Sequence, residues 1–361
     1  MRVLLLGEFS GFFTNLKQGL QELGVDVVLA SCNDSWKKIA GSDIQLFNRN
    51  YNNSIEKFYN LILEPYLRRN QLQGFDVVQM IHPIPYSTYI NKVMFDYLKK
   101  NNGKVFVSVA GDCYSVYRSY LEGKIGYYVY DNNPENCKLY DNDNPKALKR
   151  IDIEKYVYNN VDGIIPIMYE YAVGVRELPN CKKTIQLPFD CSKIEYKPNK
   201  IIDGKIVIAH GIIREEYKGS SYIKEAMKII REKYPDKVEI AIDGRMPLQD
   251  YLKWLDRANV LIDQCKEHCY GMNALYAMAK GRVVLGGASR NSMKEFELDS
   301  CPVIHIKPDV DQIVDQIDRI IKNEDKIERM GYESRKFVEE FHDCKKIAKM
   351  YLDTWKGTSE L

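Results

Sequence analysis

Long hydrophobic runs are scarce in this 361-residue sequence. None approaches the roughly 20 apolar residues that a helix needs to cross a bilayer, so no membrane-spanning helix is expected. Paired cysteines are lacking too. The nine that occur (Cys32, Cys113, Cys137, Cys181, Cys191, Cys265, Cys269, Cys301 and Cys344) are odd in number and scattered. That argues against a disulfide framework and for reduced thiols in a cytoplasmic setting. No charge of one sign dominates: the formal net charge is +2, without the basic surplus of polyanion binders, so no nucleic-acid partner is expected. The full Gly-x-Gly-x-x-Gly of a dinucleotide site is missing, since the first turn holds only Gly7, Ser10 and Gly11. Short-period repeats and low-complexity tracts are absent.

What remains is ordinary for a globular chain: 45% hydrophobic and 28% charged residues, and a length suited to two domains with real cores. The first residues, Met1 to Phe13, are similar to a signal peptide only at a glance. Gly7 and Glu8 break the apolar run and no clear cleavage site follows, so a first strand is expected.

Strands and helices alternate along the chain. Arg2 to Leu6 reads as a strand, Thr14 to Leu23 as a helix, and Val25 to Ala30 as a strand. Further strands are expected at Phe75 to Ile81, Lys104 to Ala110, Gly163 to Ile167 and Lys183 to Leu187. Helices are expected at Ser54 to Leu72, Thr88 to Lys100, Pro145 to Asn160 and Tyr169 to Leu178. Pro188 to Gly204 breaks the pattern and marks a domain boundary. The alternation then restarts, with strands at Lys205 to Ala209, Val238 to Ile242, Asn259 to Asp263 and Val283 to Leu285. Helices follow at Ser220 to Tyr234, Leu248 to Arg257, Gly271 to Ala279, Val310 to Ile321, Glu324 to Phe341 and Cys344 to Trp355. The expected class is α/β: two Rossmann-like parallel-sheet domains facing across a cleft, over residues 1–190 and 205–342, with a linker at 191–204. Residues 343–361 form a terminal helix free to cross back to the first domain.

The stretch Asn259 to Gly287 concentrates the functional signal. It reads as strand, polar loop, small-residue helix and strand. The loop at a strand's carboxyl end, feeding a helix N-terminus, is where open parallel sheets bind anions. Cys265, Cys269 and His268 in that loop raise the question of zinc. No second cysteine pair stands at a suitable spacing, so no metal is expected.

Arg214-Glu215-Glu216-Tyr217-Lys218-Gly219, Asp243-Gly244-Arg245, His268-Cys269-Tyr270-Gly271, Tyr276-Ala277-Met278-Ala279-Lys280-Gly281 and Val283-Val284-Leu285-Gly286-Gly287 occur in that order. Together they resemble the C-terminal domain of the GT-B glycosyltransferases, in particular the large retaining group numbered family 4, over roughly residues 205–345. The first half matches that group only in layout. The resemblance implies a nucleotide-sugar donor domain at 205–342 and an acceptor-side domain before it. Arg214 and Lys218 would then neutralise a leaving diphosphate. Gly244, Arg245, Glu267, His268, Tyr270, Gly271, Tyr276 and Ser289 would line the donor site. It also implies a reaction without a metal or other cofactor and a glycan or lipid-linked acceptor, as in surface polysaccharide assembly, with peripheral contact at the inner face of a membrane. The chain departs from the family at two glutamate positions. His268 stands at the first, with Glu267 beside it, and Tyr276 at the second. A phenol cannot accept from two ribose hydroxyls as a carboxylate does. Three explanations stay open: a different grip on the ribose, an unusual donor, or lost catalysis in a silent binding protein or partner subunit. A sugar-nucleotide epimerase is a further alternative.

In the first half, Gly7 and Gly11 would let the acceptor approach the backbone, and His82 and Asp112 end strands. Gly111-Asp112 resembles a Gly-x-Asp of some family members, which makes Asp112 a catalytic candidate; an Asp capping the next turn is the competing reading. The tyrosines between Tyr114 and Tyr140 are either an acceptor lid or ordinary packing.

Overall fold

The computed structural model describes residues 1–32, 41–111, 113–131, 140 and 144–358. The chain forms two compact units. One collects Met1–Lys124, Pro134–Pro188 and Cys344–Leu361; the other collects Ile125–Asn133 and Phe189–Asp343.

The first unit is built on β1 (Arg2–Leu6), β2 (Asp26–Ser31), β3 (Ile44–Gln45), β4 (Val77–Met80), β5 (Lys104–Val109) and β6 (Gly163–Pro166). They form a parallel sheet in the order β3-β2-β1-β4-β5-β6, with Leu4 opposite both Val28 and Val78. The strands are nearly unbroken Val, Leu and Ile because both faces of a parallel sheet are covered. The helix Phe12–Glu22 packs on the last helix, Cys344–Lys356. A Cβ added at Gly19 would stand 2.0 Å from the Cys344 carbonyl oxygen, so the two backbones touch. That last helix is also tied to the sheet. Trp355 Nε1 donates to Gln79 Oε1 at 2.9 Å and Lys104 Nζ to the Trp355 carbonyl at 2.9 Å.

The second unit holds β7 (Ile206–Ile212), β8 (Val238–Gly244), β9 (Val260–Ile262), β10 (Val283–Gly286) and β11 (Ile304–His305), all parallel, in the order β11-β10-β9-β7-β8. Ile206, Ile208, Val260, Ile262, Val283 and Leu285 meet Ile223, Met227 and Ile230 of helix Ser220–Lys233, and Ile313, Ile317 and Ile320 of helix Val310–Lys322. The last three lie at helical spacing, one apolar stripe on an otherwise charged helix.

Strand order reverses once in each sheet. The switch lies between β1 and β4 in the first unit and between β7 and β9 in the second. Open α/β sheets bind ligands outside the carboxyl ends of strands at such a point.

Three stretches differ from the expectation. Ser54 to Leu72 is not one α-helix: it runs as α-helix Ser54–Phe58, a π turn at Tyr59–Leu63, α-helix Glu64–Leu67 and a 3-10 turn at Arg69–Leu72. Pro65 has no N–H to return to residue 61 and its ring crowds that carbonyl, so the bonding shifts to a wider turn before it. Lys183 to Leu187 is not a ladder strand. It is held at the sheet edge by Lys182 N–H to Ile164 O at 2.8 Å and Ile185 N–H to Pro166 O at 3.0 Å. Pro166 has no N–H to return a bond, and the ladder stops there. The stretch expected as linker lies along the second unit. Arg335 donates to the carbonyls of Ile194 (2.8 Å), Cys191 (3.2 Å) and Ala279 (2.8 Å), and Arg282 to those of Lys197 (2.8 Å) and Ala258 (2.9 Å). Buried Arg282 and half-buried Arg335 thereby satisfy carbonyls that would otherwise lack a donor.

Candidate donor site

β7 ends in Ile212, and the chain turns through Arg214 into the short helix Glu215–Lys218. Gly219 closes that helix at φ 68°, and a Cβ there would stand 2.5 Å from Cys265 Sγ. Only glycine turns this corner. The turn sends Lys218 inward, where its ammonium meets the Asp263 carboxylate at 2.8 Å. Both side chains are almost fully buried, and Asp263 Oδ1 also accepts from Asn273 Nδ2 at 2.6 Å. Asp263 follows β9, so this pair lies at the β7/β9 switch point. An ammonium has three donors, and Asp263 takes one. Arg214 is exposed, its guanidinium 4.1 Å over the Tyr217 ring.

Beneath Lys218, His210 of β7 is fully buried. Its Nδ1 is 2.8 Å from the Ile262 carbonyl and its Nε2 is 2.8 Å from Ser220 Oγ. A carbonyl only accepts, so Nδ1 carries the proton and neutral Nε2 accepts from the hydroxyl. Burial, reinforced by the Lys218 charge, pushes the His210 pKa down to about 4. The ring is therefore a neutral spacer near neutrality. Sequence reasoning passed over His210, although a histidine in a buried parallel strand is itself a signal. It also passed over Asn273.

The loop 264–270 carries His268, where the resemblance in sequence leads one to expect a glutamate. Glu267 is half-buried and accepts from Gln264 Nε2. His268 is engaged by a segment from far upstream. Its ring stacks on Tyr127 with centroids 4.3 Å apart at 20°, and its Nε2 lies 3.1 Å from the Tyr127 carbonyl oxygen. The Tyr127 hydroxyl lies 3.1 Å from His305 Nε2 at the end of β11, and Lys266 Nζ donates to the Asp131 carbonyl at 2.7 Å. Burial holds His268 and His305 below the usual histidine range. Lys266 and His305 also escaped the sequence reading; a two-residue strand leaves no periodicity to find.

The other expected donor residues are placed as follows. Tyr270 points into the core, its ring edge on Phe337 and its hydroxyl 3.0 Å from His342 Nε2, so only its backbone borders the loop. Gly271 precedes the helix Met272–Ala279, and half-buried Tyr276 on that helix meets Phe189 edge-on at 5.0 Å. The Ser289 hydroxyl accepts from Ser292 N–H at 3.2 Å as a helix cap, and its Oγ lies 3.5 Å from Ser292 Oγ. Gly244 ends β8 and Arg245 is exposed, with φ at 56°.

In the first unit, Gly7 ends β1 at φ 96° and Gly11 opens the next helix at φ 88°. Glu8, unmarked in sequence, satisfies that helix start: Gly11 N–H donates to its Oε1 at 3.0 Å, and the Thr14 amide and hydroxyl to its Oε2 at 2.7 Å each. His82 is buried just beyond β4. Its Nδ1 accepts from Ile84 N–H at 3.0 Å, and its Nε2 is 3.4 Å from Cys113 Sγ. Asp112 lies outside the described residues. Of the tyrosine segment, Tyr128, Tyr130 and Tyr140 are buried in packing, while Tyr127 joins the histidines above.

No family model matches the chain, and no curated protein matches it in sequence. Solved structures do match in shape. Sucrose-phosphate synthase from Thermosynechococcus elongatus superposes with a TM-score of 0.66 at 14% identity, over 99% of each chain. Anabaena Alr3699/HepE, solved with UDP and glucose, gives 0.63 at 9% identity, covering 99% of this chain and 100% of its own. UDP-GlcNAc 2-epimerase from Neisseria meningitidis gives 0.55 at 12% identity, covering 99% and 100%. Identities this low speak to fold alone, and the fold of this chain, two parallel-sheet α/β domains, is that of the GT-B glycosyltransferases.

Proposed function

We infer that the protein is a glycosyltransferase that binds a nucleotide-sugar donor outside the carboxyl ends of β7 and β9. The observation carrying this reading is the buried Lys218–Asp263 pair at the switch point of the second sheet. A lone buried lysine is costly; a carboxylate partner at 2.8 Å offsets that cost and aims the side chain, while two donors remain for an incoming anion. Arg214, at the rim, adds a second cation. As the sugar–phosphate bond breaks, negative charge grows on the leaving diphosphate, and fixed cations stabilise that state more than the ground state. Transfer with retention needs no strong protein base, because the departing phosphate can take the acceptor's proton. This agrees with a site in which His210 and His268 are buried and held below the usual histidine range. The acceptor is a glycan or lipid-linked hydroxyl on the first unit near Gly7, Gly11 and His82, in surface polysaccharide assembly.

Isothermal titration with a panel of nucleoside diphosphates and nucleotide sugars tests the reading. Binding by at least one member, abolished by Lys218→Ala, is expected. No heat with any member at millimolar concentration overturns it. A second reading, a catalytically silent binding protein, has its own observation: His268 holds Tyr127, and Glu267 accepts from Gln264. It predicts nucleotide binding without release of nucleoside diphosphate from any sugar donor.

A further inference from the structure

The exposed large apolar side chains gather on one stretch of the first unit. Ile55 is 81% exposed, Phe58 59% and Leu67 57%, and Tyr59, Leu63 and Tyr66 are exposed beside them. Their spacing of three, one, four, three and one puts them on a single stripe along the broken helix. Pro65 is buried on the opposite side and Leu61 and Ile62 are half-buried, so the helix sits on the unit by a narrow edge and turns its richest apolar face outward. Leaving such a stripe in water is unfavourable and marks an interaction surface.

The charges around it identify the partner. Arg49, Lys57, Arg68 and Arg69 flank the stripe, against Glu56 and Glu64. Glu64 pairs with Arg68 at 2.9 Å and those two charges cancel, which leaves Arg49, Lys57 and Arg69 against Glu56, itself accepting from the Asn52 amide at 2.7 Å. The cations lie on aromatic rings. Lys57 Nζ is 5.4 Å from the Tyr51 ring centroid, and the Arg69 guanidinium lies 3.9 Å from that of Tyr66 and 5.5 Å from that of Tyr97. Aliphatic and Phe side chains at the crest, tyrosines at the shoulder and Lys or Arg outside them is the layering of a bilayer interface. A two-fold pairing of this face with a second copy would set the same cations against each other. We propose that the helix Ser54–Leu67 docks the protein on an anionic lipid surface, with Ile55, Phe58, Leu63 and Leu67 entering the acyl boundary. Binding through this face requires neither donor nor acceptor, so its outcome is independent of the proposed glycosyl transfer.

Vesicle flotation with the full chain tests it, using phosphatidylcholine alone and phosphatidylcholine mixed with phosphatidylglycerol, at low and high salt. The parent protein is expected to float with the mixed vesicles, less at high salt, and weakly with phosphatidylcholine. Ile55→Asp with Phe58→Asp lowers the partition coefficient at least about tenfold, and Lys57→Glu with Arg69→Glu by about tenfold. Circular dichroism checks that the variants are folded. Phe58→Trp gives a direct readout, a blue-shifted emission relative to the parent when mixed vesicles are added. No flotation of the parent, equal flotation of the Asp variant, or an unshifted Phe58→Trp spectrum overturns the proposal. So does a dimer in sedimentation that Ile55→Asp breaks while vesicles bind nothing, which would give the face to a second copy.

Discussion

Arg282 and Lys218 are both basic side chains buried in the second unit, and their surroundings differ. Arg282 is closed in by acceptors: the carbonyls of Lys280 (2.9 and 3.1 Å), Ala258 (2.9 Å) and Lys197 (2.8 Å), and Asn199 Oδ1 at 3.4 Å. Its five donors are spent on the chain itself. It stands by Asn259 and Asn199, at the amino ends of the strands. Lys218 stands at the carboxyl ends and pairs with one acid, Asp263. A cation saturated by main-chain carbonyls holds a fold together. A cation with one partner and donors to spare, at a switch point, is equipped to take an anion. The same residue chemistry is structural at one edge of the sheet and available at the other.

Substitutions can break that contrast. Arg282→Met should cost the most, about 3–5 kcal/mol, because it leaves several buried carbonyls without a donor. Urea unfolding measures it, and a loss below about 1 kcal/mol would show that water replaces the guanidinium. The carboxyl edge has its own stability signature through His210. Its folded pKa of about 4 lies under the ordinary 6.5, so between these values the unfolded chain binds more protons. Stability is then full above pH 6.5 and falls as pH drops towards 4, by up to about 3 kcal/mol. Urea titrations across that window should show the slope in the parent and lose it in His210→Gln.

Lys218→Ala and Arg214→Ala should each cut turnover by more than about a hundredfold. Steady-state assays with the donor found by titration check this, and near-normal rates in both would move the phosphates elsewhere. Tyr276→Glu tests whether the second departed position kept its place in the site. About a tenfold gain in donor affinity is expected, the scale of one charge-assisted hydrogen bond. No gain would mean that the packing of Tyr276 on Phe189 has rebuilt the pocket. The smallest effect belongs to Tyr127→Phe, about 1 kcal/mol in unfolding free energy, because the stack on His268 survives and only the contact with His305 is lost.

The two-sheet architecture was legible from sequence because buried parallel strands leave unbroken apolar runs, as at Val3 to Leu6 and Val283 to Leu285, with helix-spaced residues between them. The edge strands β3 and β11 were not, since two residues carry no pattern. The break at Tyr59–Leu63 had a visible cause in Pro65, but the apolar spacing ran straight through it. In the site, Arg214–Gly219 and Asn259–Gly287 could be set at strand ends from sequence. Their partners could not. Lys218 meets Asp263 across 45 residues and His268 meets Tyr127 across 141, and such pairings are set by topology rather than by neighbouring residues. The tyrosine-rich segment divided in the same way, most of its rings serving packing and one reaching the histidines.

The last helix, Cys344–Lys356, lies against Phe12–Glu22 and bonds through Trp355 to Gln79 of β4. During synthesis the first unit therefore waits for residues 344–356. Its sheet can assemble on the ribosome, but the face against Gly19 stays uncovered until residue 355 has emerged. The second unit in turn includes Ile125–Asn133, made long before the rest of it. Neither unit is an uninterrupted piece of chain, so the order of translation cannot be the order of completion. A nascent chain stalled before residue 344 should expose its first unit to protease and chaperone alike.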